Sequence, residues 1–278
     1  MRLSLLELPS LIRRALMVAG LPRGCADAAA RLVAWAELEQ GGALAWLERE
    51  LPSLAGEEFG GLAGEPLAEG ALRLDGENRS FLMTGPLALD AATAAARRHG
   101  IGAALVVDST GHPPLLALAD LAARRELVGI AAYAGRAAVT LPSGTQPWRF
   151  DYAGAEADAL ITALAEAATH GLPTSLDGLL ALLHPPPATG DFGCCYAVLA
   201  ADPARFESAG RIMAALLVEI DQAKIDAGES HSPADHALRH TLALTEGLEI
   251  DETLWRRLRD YGDRVLIPNS ERSRQGAG

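Results

Sequence analysis

LRLDGENRSFLMTGPLALDAATAAARRHGIGAALVVDSTGHPPLLALADLAARRELVGIAAYAGRAAVTLP, residues 72–142, is the part of the chain around which the rest is arranged. Apolar residues recur at helical spacing over 86–98, and Gly100 stops that pattern. An apolar run of strand length, 103–107, follows and opens into Asp108-Ser109-Thr110-Gly111-His112. A second helical pattern, 115–125, leads to a second apolar run, 128–132. Such alternation of helix and strand predicts an α/β layer. Ligand sites of open α/β sheets lie beyond the carboxyl ends of strands. The Ser/Thr/Gly/His cluster at 109–112 is therefore the candidate site.

Working outward, residues 71–75 alternate and end in Asp-Gly, a strand and its turn. Residues 137–141 read as a further strand before Pro142-Ser143-Gly144. The Gly/Glu-rich stretch 55–70 lacks periodicity and reads as a linker or loop. Three helices are predicted ahead of it. One starts at Pro9 and carries Leu11, Ile12, Ala15, Leu16 and Ala19 on one face before Gly20. The second covers 26–39 and ends at Gly41-Gly42; the third covers 44–51 and stops at Pro52. On the carboxyl side, 155–168 and 175–183 are helical patterns and 194–200 is a buried strand. Asp202-Pro203 opens a long helix to residue 227. Ser232-Pro233-Ala234-Asp235 is a capping box for a helix ending at Glu246, and Asp251 caps a last helix. The expected organisation is a helical part, 1–54, that packs with carboxyl-terminal helices, 201–265. Between them lies an α/β core, 71–200, and a polar tail, 266–278, closes the chain.

A chain of 278 residues, 49% hydrophobic and 22% charged, has the makings of a large soluble core. A net charge of −12 without a basic patch argues against nucleic acid and anionic membrane surfaces as partners. No run of about 18 apolar residues predicts a membrane span. MRLSLLELPS, with Glu7 and Pro9 and no small-residue cleavage pattern, does not read as a signal peptide. Three cysteines, an odd and sparse set, point to a reducing, cytoplasmic compartment.

Several of these features together resemble the malate/L-lactate dehydrogenase family, the type without a Rossmann fold. Gly100-Ile101-Gly102 stands at a strand entry, Ser109 and His112 follow the strand, and Pro142 and Gly144 lie in the next loop. Asp151-Tyr152-Ala153-Gly154-Ala155 looks like the family's aspartate motif, and the late strand runs into Asp202-Pro203 ahead of Phe206. The resemblance covers most of the chain. It implies an α/β (α+β) fold with a helical amino-terminal part on a mixed-sheet core and long carboxyl-terminal helices. It further implies a homodimer, NAD or NADP as cofactor, and a small 2-oxo or 2-hydroxy acid as substrate. His112 would be the acid/base and Asp151 its orienting carboxylate. Ser109, Gly111, Ser143 and Gly144 would contact the cofactor.

The chain departs from that family in four places. Glu39-Gln40-Gly41-Gly42 replaces a serine-histidine-glycine, and 145–150 is too short for a glycine-threonine-asparagine-proline loop. Residues 170–175 lack the family's lysine, and His112 is followed by Pro113-Pro114 instead of phenylalanine-glycine. A non-catalytic relative, serving as a binding or assembly subunit, fits these departures. The two ends, Leu3-Ser4-Leu5 and 268–278, also look like an uncharacterised family known only as a domain of unknown function.

Hydride exchange with a keto or hydroxy acid needs a group that moves the oxygen's proton, and histidine suits it near neutral pH. It needs a carboxylate to orient that imidazole and a cation for the substrate carboxylate. Arg136 and Arg149 stand near the right loops but at unmatched positions. Plainer accounts stand beside each assignment. His112 also fits a loop histidine with structural hydrogen bonds, and Asp151 a strand-end or cap residue. His236 and His240, four apart with His231 upstream, have metal-ligand spacing, but HALRH lacks the intervening glutamate and a solvated helix face fits better. Cys194-Cys195 reads as core. His99 suits the carboxyl end of a helix dipole. Trp35, Trp46 and Trp255 read as core or subunit contacts.

Overall fold

The computed structural model describes residues 1–55, 61–111, 114–133, 136–142, 148–153, 196–202 and 230–265. In chain order the elements are β1 (Arg2–Leu3), α1 (Leu8–Val18), α2 (Arg23–Gln40), α3 (Ala43–Leu54), β2 (Ala63–Ala68), β3 (Ala71–Asp75), α4 (Phe81–His99) and β4 (Ile101–Val107). There follow α5 (Leu115–Ala123), β5 (Val128–Tyr133), β6 (Arg136–Leu141), β7 (Trp148–Ala153), β8 (Tyr196–Ala201), β9 (Ser230–His231), α6 (Pro233–Glu246), β10 (Leu248–Glu249) and α7 (Glu252–Gly262). The helices expected at 155–168, 175–183 and 203–227, Cys194-Cys195 and the tail lie outside the described residues. Two compact units result: Met1–Phe59 with Thr241–Gly278, and Gly60–His240. The division falls inside α6.

The first unit is helical. Pro9 stands in the first turn of α1, where a missing N–H removes no bond. Leu8, Leu11, Ile12, Ala15 and Leu16 form the buried face of that helix. α2 ends at Gly41 and Gly42, both left-handed at φ +72 and +74. Gly42 has no side chain to cap α3, and Glu37 of α2 accepts from the Leu44 amide at 2.8 Å instead. α3 runs on through Pro52, where a stop was expected. The proline stands in the last turn, and buried Leu51 and Leu54 offset the single bond it removes. Asp251 caps α7 by accepting from Thr253 N at 2.6 Å and Leu254 N at 3.1 Å. β1 pairs with β10, so the start of the chain and the segment between α6 and α7 close this unit.

The second unit is a mixed eight-stranded sheet in the order β2-β3-β4-β8-β5-β6-β7-β9. β3 and β4 are parallel, and β8 lies antiparallel between β4 and β5. α4 joins β3 to β4, and α5 joins β4 to β5. Both helices lie on one face, and one transverse row of residues explains how. Gly102 and Gly129 both oppose Ala200; Gly129 opposes Thr140, and Thr140 opposes Arg149. Directly opposed residues point to the same face. A Cβ on Gly102 would lie 2.1 Å from Ala92 O of α4, and one on Gly129 would lie 2.2 Å from Ala119 O of α5. The glycines let the helix backbones settle onto the strands.

In the second unit, three elements differ from the sequence expectations. Part of the expected linker, Ala63–Ala68, is an edge strand paired antiparallel with β3. Backbone pairing supplies this order where apolar pattern is absent. α4 starts at Phe81, five residues ahead of Pro86. Ser80 Oγ accepts from Leu82 N at 3.3 Å, and the Phe81 amide donates to Thr110 O at 2.8 Å. Phe81 is buried, and a Cβ at Gly85 would lie 2.8 Å from its ring. These contacts hold the first turn despite the bond Pro86 removes. Trp148–Ala153 is a strand that the sequence reading leaves unassigned. Among the described residues no helix is long and apolar enough to cross a membrane.

Candidate functional site

The loops leaving β3 and β4 are stitched together. The Gly76 amide donates to Val107 O at 2.8 Å, and a Cβ there would stand 2.8 Å from Val107 O and Asp108 O. Only glycine fits that approach. The Asn78 amide donates to Asp108 O at 2.6 Å, and the Thr110 amide donates to Arg79 O at 3.0 Å. Glu77, Asn78 and Asp108 all take left-handed conformations, with φ of +50, +59 and +51. Such backbone gathers where surrounding contacts over-determine it, commonly at functional sites.

Ser109 and Thr110 are largely occupied by this seam. Ser109 Oγ donates to Arg79 O at 3.1 Å and lies 2.9 Å from Thr84 Oγ1. One hydroxyl proton serves one acceptor, so Thr84 is the donor in the second contact. Thr110 Oγ1 reaches Asn78 O at 3.4 Å. Gly111 is half-buried at φ +90. His112, Ser143 and Gly144 lie outside the described residues. Of Asp151 the backbone is described: it stands on β7 opposite Ala138. Ser109 and Gly111 thus share one strand end, and the described residues do not bring the remaining site candidates to them.

A second polar constellation lies at the other end of the transverse row. Asp120 of α5, Arg149 of β7 and His236 of α6 are 0%, 0% and 1% exposed. Arg149 Nε and Nη2 lie 2.7 and 2.6 Å from Asp120 Oδ1. Arg124 Nε donates to Asp120 Oδ2 at 2.7 Å. Arg149 Nη1 contacts His236 Nδ1. Thr140 Oγ1 donates to Ala119 O at 2.5 Å beside this cluster.

This constellation corrects one expectation and closes off a role for which Arg149 had stood near but unmatched. His236 is enclosed by protein rather than on a solvated face, because α6 turns that side toward Arg149. Arg149 is committed to Asp120 and has no exposed surface for a substrate carboxylate. Among the described residues no three His, Cys, Asp or Glu gather as metal ligands. Asp120 escaped the sequence reading, although its signal was present: it is the one charged residue within LLALADLAA. Arg149 carried a signal too, in the aromatic alternation of WRFDYA.

The whole chain has the malate/L-lactate dehydrogenase-like fold. It is similar over its length to malate dehydrogenase from Pyrococcus horikoshii OT3, with a TM-score of 0.66 at 16% identity, covering 95% of each chain. Sulfolactate dehydrogenase from Methanocaldococcus jannaschii gives 0.63 at 16% identity, covering 96% of this chain and 98% of that one. Delta1-piperideine-2-carboxylate reductase from Pseudomonas syringae pvar. tomato gives 0.63 at 18% identity, covering 94% and 99%. No family model and no curated protein matches the sequence. The likeness of the two ends to an uncharacterised family gains no support.

Proposed function

We propose that this chain is an NAD(P)-dependent oxidoreductase acting on a small 2-oxo or 2-hydroxy acid, working as a cytoplasmic homodimer. The observation that carries the reading is the full-length correspondence with dehydrogenases and a reductase. The compounds in those proteins' names share one pattern: a carboxylate beside a carbon that alternates between C–OH or C–NH and C=O or C=N. When bound, the nicotinamide would supply or accept the hydride. Amides of Gly111, Ser143 and Gly144 would hold its phosphates. His112 would give or take the proton on the substrate oxygen, and Asp151 would orient the imidazole.

One observation favours a second reading, a non-catalytic relative that binds or assembles. The Ser109 hydroxyl is engaged by Arg79 O and Thr84, which leaves it little capacity for a cofactor. Calorimetric titration with NADH and NADPH separates the two. The first reading expects saturable binding, and turnover of 2-oxo acids reduced at least about 100-fold in His112→Ala with the fold intact. Absence of binding at millimolar cofactor leaves the second reading standing. Sedimentation velocity tests the dimer.

A further inference from the structure

We propose that the edge of residues 109–111 turned away from the seam is a backbone strip that reads a primary carboxamide, with Ser109 supplying both the donor and the acceptor. That group is the one by which nicotinamide differs from nicotinic acid, so the assignment rests on the oxidoreductase reading. Three hydrogen bonds orient the strip. In a trans peptide the C=O and the N–H point in opposite directions, and no peptide here is cis. Asp108 O accepts from the Asn78 amide at 2.6 Å, so the Ser109 N–H points away from Asn78. The Thr110 N–H donates to Arg79 O at 3.0 Å, so the Ser109 C=O points away from Arg79. Thr110 O accepts from the Phe81 amide at 2.8 Å, so the Gly111 N–H points away from Phe81. Residues 78–81 therefore take one edge, and Ser109 N–H, Ser109 C=O and Gly111 N–H lie on the other. Among the described residues no hydrogen bond reaches these three groups. Ser109 and Gly111 are half-buried, where main-chain polar groups are normally paired.

The order of donor and acceptor selects the ligand. N–H and C=O of one residue, side by side, match a group that accepts with one atom and donates with its neighbour. A primary carboxamide does both. A carboxylate or a phosphate diester only accepts, and it would set an oxygen against Ser109 O. A ketone accepts from the N–H and leaves the C=O unpaired. The side chain holds the residue in place: Ser109 Oγ donates to Arg79 O at 3.1 Å and meets Thr84 Oγ1, on a fully buried residue, at 2.9 Å. Ser109 thus reaches the cofactor through its main chain, and its engaged hydroxyl is the anchor. The Gly111 N–H, on the same edge, is left for a phosphate oxygen.

Calorimetric titration of the full chain with NAD+ and NADP+, and with their nicotinic acid and 3-acetylpyridine analogues, tests the strip by binding alone. The parent dinucleotide is expected to bind at least about tenfold tighter than its nicotinic acid analogue, and about three- to tenfold tighter than the acetyl analogue. The acetyl group is uncharged, so it separates a missing donor from an added charge. Hydrogen exchange followed by NMR gives a second readout. The Thr110 amide is expected to be protected with or without ligand, and the Ser109 amide to exchange about tenfold more slowly once the parent dinucleotide is bound. An analogue that binds as tightly as the parent, or a Ser109 amide that the bound parent leaves unprotected, would overturn the strip while the oxidoreductase reading stands. A chain that binds neither NAD+ nor NADP+ at millimolar concentration removes that reading and the strip with it.

Discussion

Arg149 and Asp120 are both fully enclosed, and charges of that kind persist only when each is paired and hydrogen-bonded. Truncating one member leaves the other uncompensated. Arg149→Met is expected to lower stability by about 3–5 kcal/mol, read from urea unfolding. A shift under 1 kcal/mol would mean that Arg124 neutralises Asp120 alone. Gly102 has a steric role of a different kind. A methyl there would meet Ala92 O at 2.1 Å and Ala96 N at 2.5 Å, both backbone atoms of α4 that cannot swing aside. Gly102→Ala is expected to cost about 2–4 kcal/mol in the same assay, as α4 is pushed off the sheet.

Two carboxyls of the first unit, one within α3 and one capping α7, carry its clearest pH dependence. The hydrogen bond from Arg257, at 2.5 and 2.9 Å, holds the Glu48 carboxyl below its usual range despite partial burial. Backbone amides of Leu254 and Thr253 do the same for Asp251 at the start of α7. A carboxyl whose folded value lies below its unfolded one binds fewer protons in the folded state. Its stabilisation is present above the unfolded values of 4.5 and 3.8 and is lost as pH falls through the lower folded values. Acid unfolding is therefore expected to steepen below those values. Glu48→Gln with Asp251→Asn should flatten that limb in circular dichroism titrations and leave neutral pH little changed in slope; an unaltered acid limb would count against these two groups.

Across the whole chain, the first unit draws on sequence segments separated by the entire second unit. Its closure passes through Gly247, left-handed at φ +78, where a Cβ would lie 2.8 Å from Leu3 O. Gly247→Ala imposes both strain and a backbone clash. It is expected to destabilise the first unit by about 2 kcal/mol or more. Trp35, Trp46 and Trp255 belong to this unit, so denaturant curves followed by tryptophan fluorescence report the loss. If those curves coincide with wild type, β1–β10 pairing does not govern the unit.

Helix faces, caps and strand runs were legible because they depend on neighbours a few residues apart. Leu11, Ile12, Ala15 and Leu16 show a periodicity, Ser232 to Asp235 a capping box, and Ala71–Asp75 an alternation, before any fold is known. The family resemblance drawn from Gly100-Ile101-Gly102 and Asp202-Pro203 led to the fold that the neighbours share. Other features needed partners remote in sequence. Ala63–Ala68 became a strand because β3 offered a free edge, and the first turn of α4 formed because Thr110 O met Phe81 N. Asp120, Arg149 and His236 lie 29 and 87 residues apart and carry no joint pattern. Burial and charge pairing arise only when the sheet brings α5, β7 and α6 together, so tertiary packing alone buried a histidine of a polar-looking helix beside an arginine.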